Sequence, residues 1–447
     1  MSSALVFIAL LRAASAIGAQ DAAAPTEVFP GFASSEARDG LVELYLEPAM
    51  LEVLRERERV VLEGFPWDGG LALELERVHS PIVPGAVRVD GRPVTNDVAS
   101  DATYWSGRVA GDEASDVFLA FFPDASQGWV RRGSGETVHL MTGRAPGRDR
   151  AGNKTVLVGD GALEAGGRRF RGACAAATNP ALTPLLGPRP LTPAAAGPAP
   201  TVLPLLAQPP LRMAPGPVLQ LYRGRLAVET DWQFFQIFGS LPAAQVYVTA
   251  LLAAANVRFV NQLNADVRVD YLGFHTTQAD PWTTQDQPGA ICFDTLYEFQ
   301  AAWSNGGAPV PAELHLFLSG VDLGCGVAFI AGLCTPDRSF SLMSRMNGLT
   351  PFPVAPSPLN WDFVFTAHEL GHSLGSLHTH EYCPPLDQCS PPGYFGPCQT
   401  ARVCTNQAGL MSYCHSCPGG VANYTTSYHP VVAAVLRAHV AGCFPLQ

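Results

Sequence analysis

The chain has 447 residues, 47% of them hydrophobic and 15% charged, with a formal net charge of −11. That length exceeds the usual single domain, and so apolar a composition belongs to packed globular units rather than to disordered chain. The acidity argues against nucleic acid or an anionic membrane surface as a partner.

The first predicted element is a secretory signal over residues 1–19. An apolar run, Ala4–Leu11, precedes small residues up to Ile17-Gly18-Ala19, with cleavage expected after Ala19. The run is shorter than the ~20 apolar residues a membrane helix needs. No later stretch of that length is apolar, uncharged and free of proline, so no membrane anchor is expected. Residues 20–175 read as a β-rich domain, because Leu41–Leu46, Leu71–Val78, Val117–Phe122 and Thr137–Leu140 alternate apolar and polar residues between turn signals such as Asp90-Gly91 and Gly133-Ser134-Gly135. No catalytic constellation falls within it. Residues 176–217, with Pro184, Pro188, Pro190, Pro193, Pro198 and Pro200 and almost no charge, read as a semi-rigid linker.

Residues 218–447 alternate strands and helices. Strands are predicted at Leu219–Val228, Val267–Tyr271, Glu313–Leu318 and Val327–Ile330, and helices at 243–263, Thr295–Trp303, Phe363–Leu374 and Val431–Val440. The helix over 243–263 is read from one apolar face, Val246, Ala250, Ala253, Val257 and Val260. This is an α/β layout with a mixed sheet. Of the 11 cysteines, Cys174 stands alone and ten lie between Cys292 and Cys443, enough for five disulfides in an oxidising, extracellular compartment. The lone lysine, Lys154, and the heavy use of Ala, Gly and Pro resemble the coding bias of a GC-rich bacterial genome. The sequons at Asn153 and Asn423 matter only in a eukaryotic source.

The run His368-Glu369-Leu370-Gly371-His372-Ser373-Leu374-Gly375-Ser376-Leu377-His378 carries the chemistry. Histidines at i and i+4 share a helix face, so their imidazoles can converge on one Zn2+. Gly375 can take a positive φ, end the helix and return His378 to the same ion as third ligand, with His380 the competing candidate. Glu369, beside the first ligand, is placed to act as general base on a zinc-activated water attacking a peptide carbonyl.

At these residues the sequence resembles the metzincin metalloproteases, whose motif is H-E-x-x-H-x-x-G-x-x-H followed by a methionine turn. Gly409-Leu410-Met411-Ser412-Tyr413 is the candidate turn, with Met411 beneath the metal site. Within metzincins the likeness is to the reprolysin or adamalysin group, over most of residues 217–447. The resemblance implies a catalytic domain with a mixed twisted sheet, long helices and a disulfide-rich C-terminal subdomain, preceded by a propeptide-like domain. It also implies a Cys334–Cys443 disulfide, and an edge strand at Val327, Ala328, Phe329 and Ile330 to which a peptide substrate adds. Calcium is a candidate additional ion. Thr379 stands where reprolysins typically place Asp, and Tyr413 matches the switching tyrosine of astacins and serralysins, a candidate transition-state stabiliser.

The expected function is therefore that of a secreted, monomeric zinc metalloendopeptidase acting on protein or peptide substrates and made as a zymogen. Cys174 is the candidate inhibitory zinc ligand of that zymogen. The alternatives are an extracellular binding module that retains a metal site, against which Glu369 argues, and a zinc hydrolase of cell walls, which digestion of casein versus cell wall separates.

Overall fold

The computed structural model describes residues 27–30, 32–36, 42–46, 48–94, 98, 101–142, 155–159, 221–349, 360–391 and 393–447. The signal-like segment, the linker and Cys174 lie outside the described residues.

In chain order the N-terminal segment carries β1 (Glu27–Pro30), β2 (Phe32–Glu36), β3 (Val42–Leu46), helix α1 (Pro48–Glu56), β4 (Arg59–Phe65), β5 (Leu71–Val78), β6 (Val87–Val89), β7 (Arg92–Pro93), β8 (Thr103–Val109), β9 (Asp116–Phe122), β10 (Ala125–Arg131), β11 (Thr137–Thr142) and β12 (Thr155–Gly159). Ten of these form one sheet in the order β1-β4-β5-β8-β9-β10-β11-β12-β3-β2. The period of two explains its core. Val117, Leu119 and Phe121 of β9 pack with Leu62, Leu73 and Trp105, whereas Phe118, Ala120 and Phe122 point the other way.

The C-terminal segment runs β13 (Tyr222–Thr230), α2 (Trp232–Phe238), α3 (Leu241–Leu263), β14 (Ala265–Phe274), α4 (Cys292–Trp303), β15 (Leu314–Leu318), β16 (Gly326–Ala328), β17 (Phe340–Met343), α5 (Trp361–Ser373) and α6 (Pro430–Cys443). Its sheet has the order β16-β17-β15-β13-β14-β6-β7, so β6 and β7 of the N-terminal segment complete it. Pairing is parallel from β17 through to β6, while β16 and β7 run antiparallel at the two edges. Strand alternation again sorts the two faces. Leu226, Val228, Leu314 and Leu316 pack with α3 and α5, whereas Ala227, Phe317 and Phe340 meet the aromatic cluster of Trp282, Phe299 and Trp303 around α4. The result is three layers with a mixed sheet in the middle, as expected of an α/β unit.

Two expectations are corrected. The strand expected over Val327–Ile330 ends at Ala328: Phe329 donates one more bond to Phe340 O at 3.2 Å, and the chain then turns through Ala331 at φ 55°. Helix α3 is buried without a break from Ala244 to Phe259, not on one face. By length and composition α3 would pass for a membrane span, but 89% of its apolar window is buried inside the fold, which makes it a core helix.

The ten cysteines of the C-terminal segment form five disulfides, Cys292–Cys325, Cys334–Cys443, Cys383–Cys398, Cys389–Cys414 and Cys404–Cys417. Cys414 and Cys417, the C-x-x-C pair, belong to different bridges and form no dithiol motif. Cys334–Cys443 closes the longest loop, 109 residues, and fastens α6 to the turn after β16. On the chain-entropy model a loop of that size contributes about 4–5 kcal/mol. Replacing both cysteines by serine is expected to lower the calorimetric melting temperature by roughly 10–15 °C; a shift within 2–3 °C would rule out that contribution.

Candidate metal centre

Helix α5 places His368, Glu369 and His372 in its last two turns, all buried. Gly375 then adopts φ 110°, and the amides of Gly375 and Ser376 close on the carbonyls of His372 and Gly371 at 2.9 and 3.0 Å. A Cβ on Gly375 would meet His439 Nδ1 at 2.6 Å, so crowding as well as conformation requires glycine here. The turn brings His378 back: His372 Nε2 lies 3.1 Å from His368 Nε2 and 3.0 Å from His378 Nε2.

Each ring is oriented through its other nitrogen. His368 Nδ1 meets Leu410 O at 2.7 Å, His372 Nδ1 meets Ser376 O at 2.8 Å, and His378 Nδ1 meets Glu381 Oε2 at 2.8 Å. These acceptors assign the N–H to Nδ1 in every ring and turn three Nε2 lone pairs towards one another. Burial, helped by the neighbouring histidines, drives His368 well below the ordinary imidazole range and His372 down to about 3. Both rings are therefore neutral at physiological pH, the form that binds a metal. Three lone pairs facing at such distances repel unless a cation sits among them. Ligands about 2.0–2.1 Å from a tetrahedral Zn2+ would stand about 3.3 Å apart, close to the spacings here, so the residues present fit the ion.

The surroundings fill in around this triad. Met411 is fully buried, and a Cβ on Gly371 would meet its Sδ at 2.5 Å, so the motif's glycine makes room for the methionine. A Cβ on Gly326 would meet Glu369 Oε1 at 2.4 Å, which puts the Glu369 carboxyl hard against the backbone of the edge strand β16. Burial raises that carboxyl well above its ordinary range. Thr379 turns its amide and hydroxyl to Met411 O, at 2.9 and 3.4 Å, and ties the methionine turn to the ligand loop. The ring of Tyr413 packs 4.3 Å from that of His378. His380 is buried and stacked on His378 at 5.4 Å, away from the three converging nitrogens.

Two features lay outside the sequence reading. Glu381 holds the third histidine, and Tyr394 donates its hydroxyl to Glu381 Oε1 at 3.1 Å. The signal was available, since a carboxylate three residues after a ligand and within a tight turn can reach the ligand's outer nitrogen. His415, in contrast, is brought in by the fold, its Nδ1 on the Tyr424 hydroxyl at 3.0 Å. Among the described residues two further groups bring ligating atoms together. His378, His380 and Glu381 share a histidine with the triad, and Asp387 lies with Cys389 and Cys414, whose sulfurs are bonded to each other. Neither offers the six to eight oxygens that calcium takes.

Two histidines one helical turn apart, a third after a glycine turn and a carboxylate beside the first are the residues that the metallopeptidase motif leads one to expect, and the three histidines could hold a metal ion. Residues 221–425 match the reprolysin model described as Metallo-peptidase family M12, which supports a reprolysin-like metzincin domain over that stretch. The family implies a zinc cofactor. No curated protein matches the sequence. A solved structure described as "Structure of a chaperone-substrate complex" is similar over 50% of this chain and 34% of that chain, at 13% identity and a TM-score of 0.30. The chain thus spans about a third of that structure's chain, and so distant a likeness carries no argument.

Loss of an outer carboxylate on a metal-binding histidine typically weakens metal affinity 10–100-fold. Glu381→Ala is expected to fall in that range, and Glu381→Gln, which keeps an acceptor, to fall less. Chelator competition on purified protein measures both; affinity within twofold of wild type in the alanine variant would show that Glu381 does not support the ligand.

Proposed function

We propose that the chain is a secreted zinc metalloendopeptidase in which His368, His372 and His378 hold one zinc ion and Glu369 is the general base. The observation that carries this reading is the convergence of three histidine Nε2 atoms beside a buried carboxyl that lies against an edge strand. Zinc bound there would supply Lewis acidity, polarising a carbonyl and lowering the pKa of its water to about 7. A peptide added along β16 would run beside the strand whose face Glu369 Oε1 touches, and main-chain hydrogen bonds would supply affinity without side-chain specificity. Glu369 then takes the proton of the attacking water on a carboxylate oxygen and returns it to the leaving amine nitrogen. Tyr413, whose ring packs against His378, would support the carbonyl oxygen as it gains charge.

In this reading residues 1–19 direct secretion, 20–175 form the propeptide-like domain, 176–217 are the region cut on activation, and 218–447 carry out the catalysis on proteins or peptides outside the cell, one copy of the chain acting alone. Cys174 remains the candidate fourth ligand of the latent form. Five disulfides fit an oxidising compartment.

The purified enzyme is expected to digest casein but not cell-wall material, and to lose activity to a zinc chelator. Glu369→Ala is expected to cut turnover by at least the 10²–10⁴-fold typical of a lost acid–base group, with zinc content by elemental analysis unchanged. His372→Ala should lose both metal and activity. Turnover by Glu369→Ala above a few per cent of wild type would remove Glu369 from the role of base.

A further inference from the structure

The packing of α3 states what the N-terminal domain is for. A helix with one solvent face leaves exposed positions every turn, but α3 is buried at every position from Ala244 to Phe259. The sheet of its own unit, α5 and α6 cover part of it; β9 and β10 of the N-terminal sheet cover the rest. Tyr104, Phe118, Ala120, Phe122 and Trp129 join Val248, Leu252, Ala255 and Phe259 in one continuous core. Arg258, buried on α3, is attracted by the carboxylate of Asp116 on β9, which also accepts from Trp129 Nε1 at 3.2 Å.

A second, independent contact lies at the sheet edge. Strand β6 pairs in parallel with β14, Val87 opposite Leu272 and Val89 opposite Phe274. The bonds run on past the strand: Val269 N donates to Pro81 O at 2.7 Å, Val83 N to Val269 O at 3.0 Å and Asp90 N to Phe274 O at 2.8 Å. At the hairpin tip the Asp90 carboxylate accepts from Thr276 N at 2.9 Å and from the Thr276 hydroxyl at 2.7 Å. Four strands separate β6 from the edge strand β16. Among the described residues, the hydrogen-bond partners of the three histidines all belong to the C-terminal unit.

We infer that the N-terminal domain is a lasting subunit: cutting the 176–217 linker leaves it bound, through the added strand β6 and the cover over α3, on the side of the sheet remote from the substrate edge. The inference rests on the reading of the linker as the activation region, but not on the chemistry of the site. Release would strip one side of a helix about 35 Å long, uncovering a continuous apolar strip of the kind that marks an interaction surface. It would also reopen the hydrogen-bonding edge of β14 to other strands.

The test uses the full chain carrying Glu369→Ala, so that self-digestion plays no part, with a recognition sequence for a site-specific protease placed within 176–217. After complete cutting, native mass spectrometry and size exclusion at micromolar and then nanomolar concentration are expected to find both fragments in one particle. Adding Asp90→Ala, a surface change that removes the bonds to Thr276, is expected to weaken the complex about tenfold on dilution, as the loss of hydrogen bonds to a charged group predicts. Separation of the fragments at micromolar concentration, whether the C-terminal one stays soluble or precipitates, overturns the inference. An Asp90→Ala complex as tight as its parent overturns the part assigned to the hairpin. Because neither readout uses catalysis, a failed peptidase assay and a failed association remain distinct results.

Discussion

Three imidazole lone pairs pointed at one another across about 3 Å, in a pocket largely closed to water, make up the arrangement around which the rest of the C-terminal unit is organised. Left to themselves the rings would turn away. Three separate acceptors prevent it, and each reaches its ring by a different route. The Ser376 carbonyl comes from the turn that Gly375 creates, so the same φ that ends the helix also orients the second ring. The Leu410 carbonyl comes from 42 residues away, on the segment that carries Met411. Glu381 comes from the 3-10 turn that follows His378.

The glycines of the site follow from this crowding. At Gly371 and Gly326 the backbone needs no special conformation; what matters is the volume that a methyl group would take from Met411 in one case and Glu369 in the other. Small residues thus let a soft thioether press against the helix from below and a carboxyl press against the face of the edge strand. Thr379 joins these two halves by bonding Met411 O, while Glu381 supplies the carboxylate contact to the third histidine. The pair divides between two residues the work expected of an acid directly after His378.

What could be read from the sequence was what short spacing decides. Period two marked the strands around Leu71–Val78 and Val117–Phe122, and the histidine spacing marked the ends of α5, because both patterns are set within a few residues. The placement of β6 and β7 was not legible, since five residues with a proline among them carry no periodicity and the strand that β6 joins, β14, lies some 180 residues on. The burial of α3 was legible and was under-read: besides the face noted first, Leu251, Leu252, Ala254 and Ala255 fill its other sides, and a helix apolar all round requires cover on every side. The disulfide partners other than Cys334–Cys443 depend on loop packing that no spacing rule sets.

The two units are coupled through the same helix. Tyr247 of α3 donates to Asp362 in the first turn of α5 at 2.6 Å, and Asp362 also receives the amides of Asn347 and Gly348 at 3.0–3.1 Å. This buried junction fixes where α5 begins, and hence where His368 and His372 stand two turns later. Burial raises the Asp362 carboxyl to about 6, so the junction costs free energy in desolvation that the surrounding packing must offset. That packing includes the Phe238–Tyr247 ring contact and the core that α3 shares with β9 and β10. A shift of α3 within its cover would therefore be felt at the base of α5. The N-terminal sheet, which among the described residues supplies no hydrogen bond to the triad, bears on its geometry through the helix it encloses.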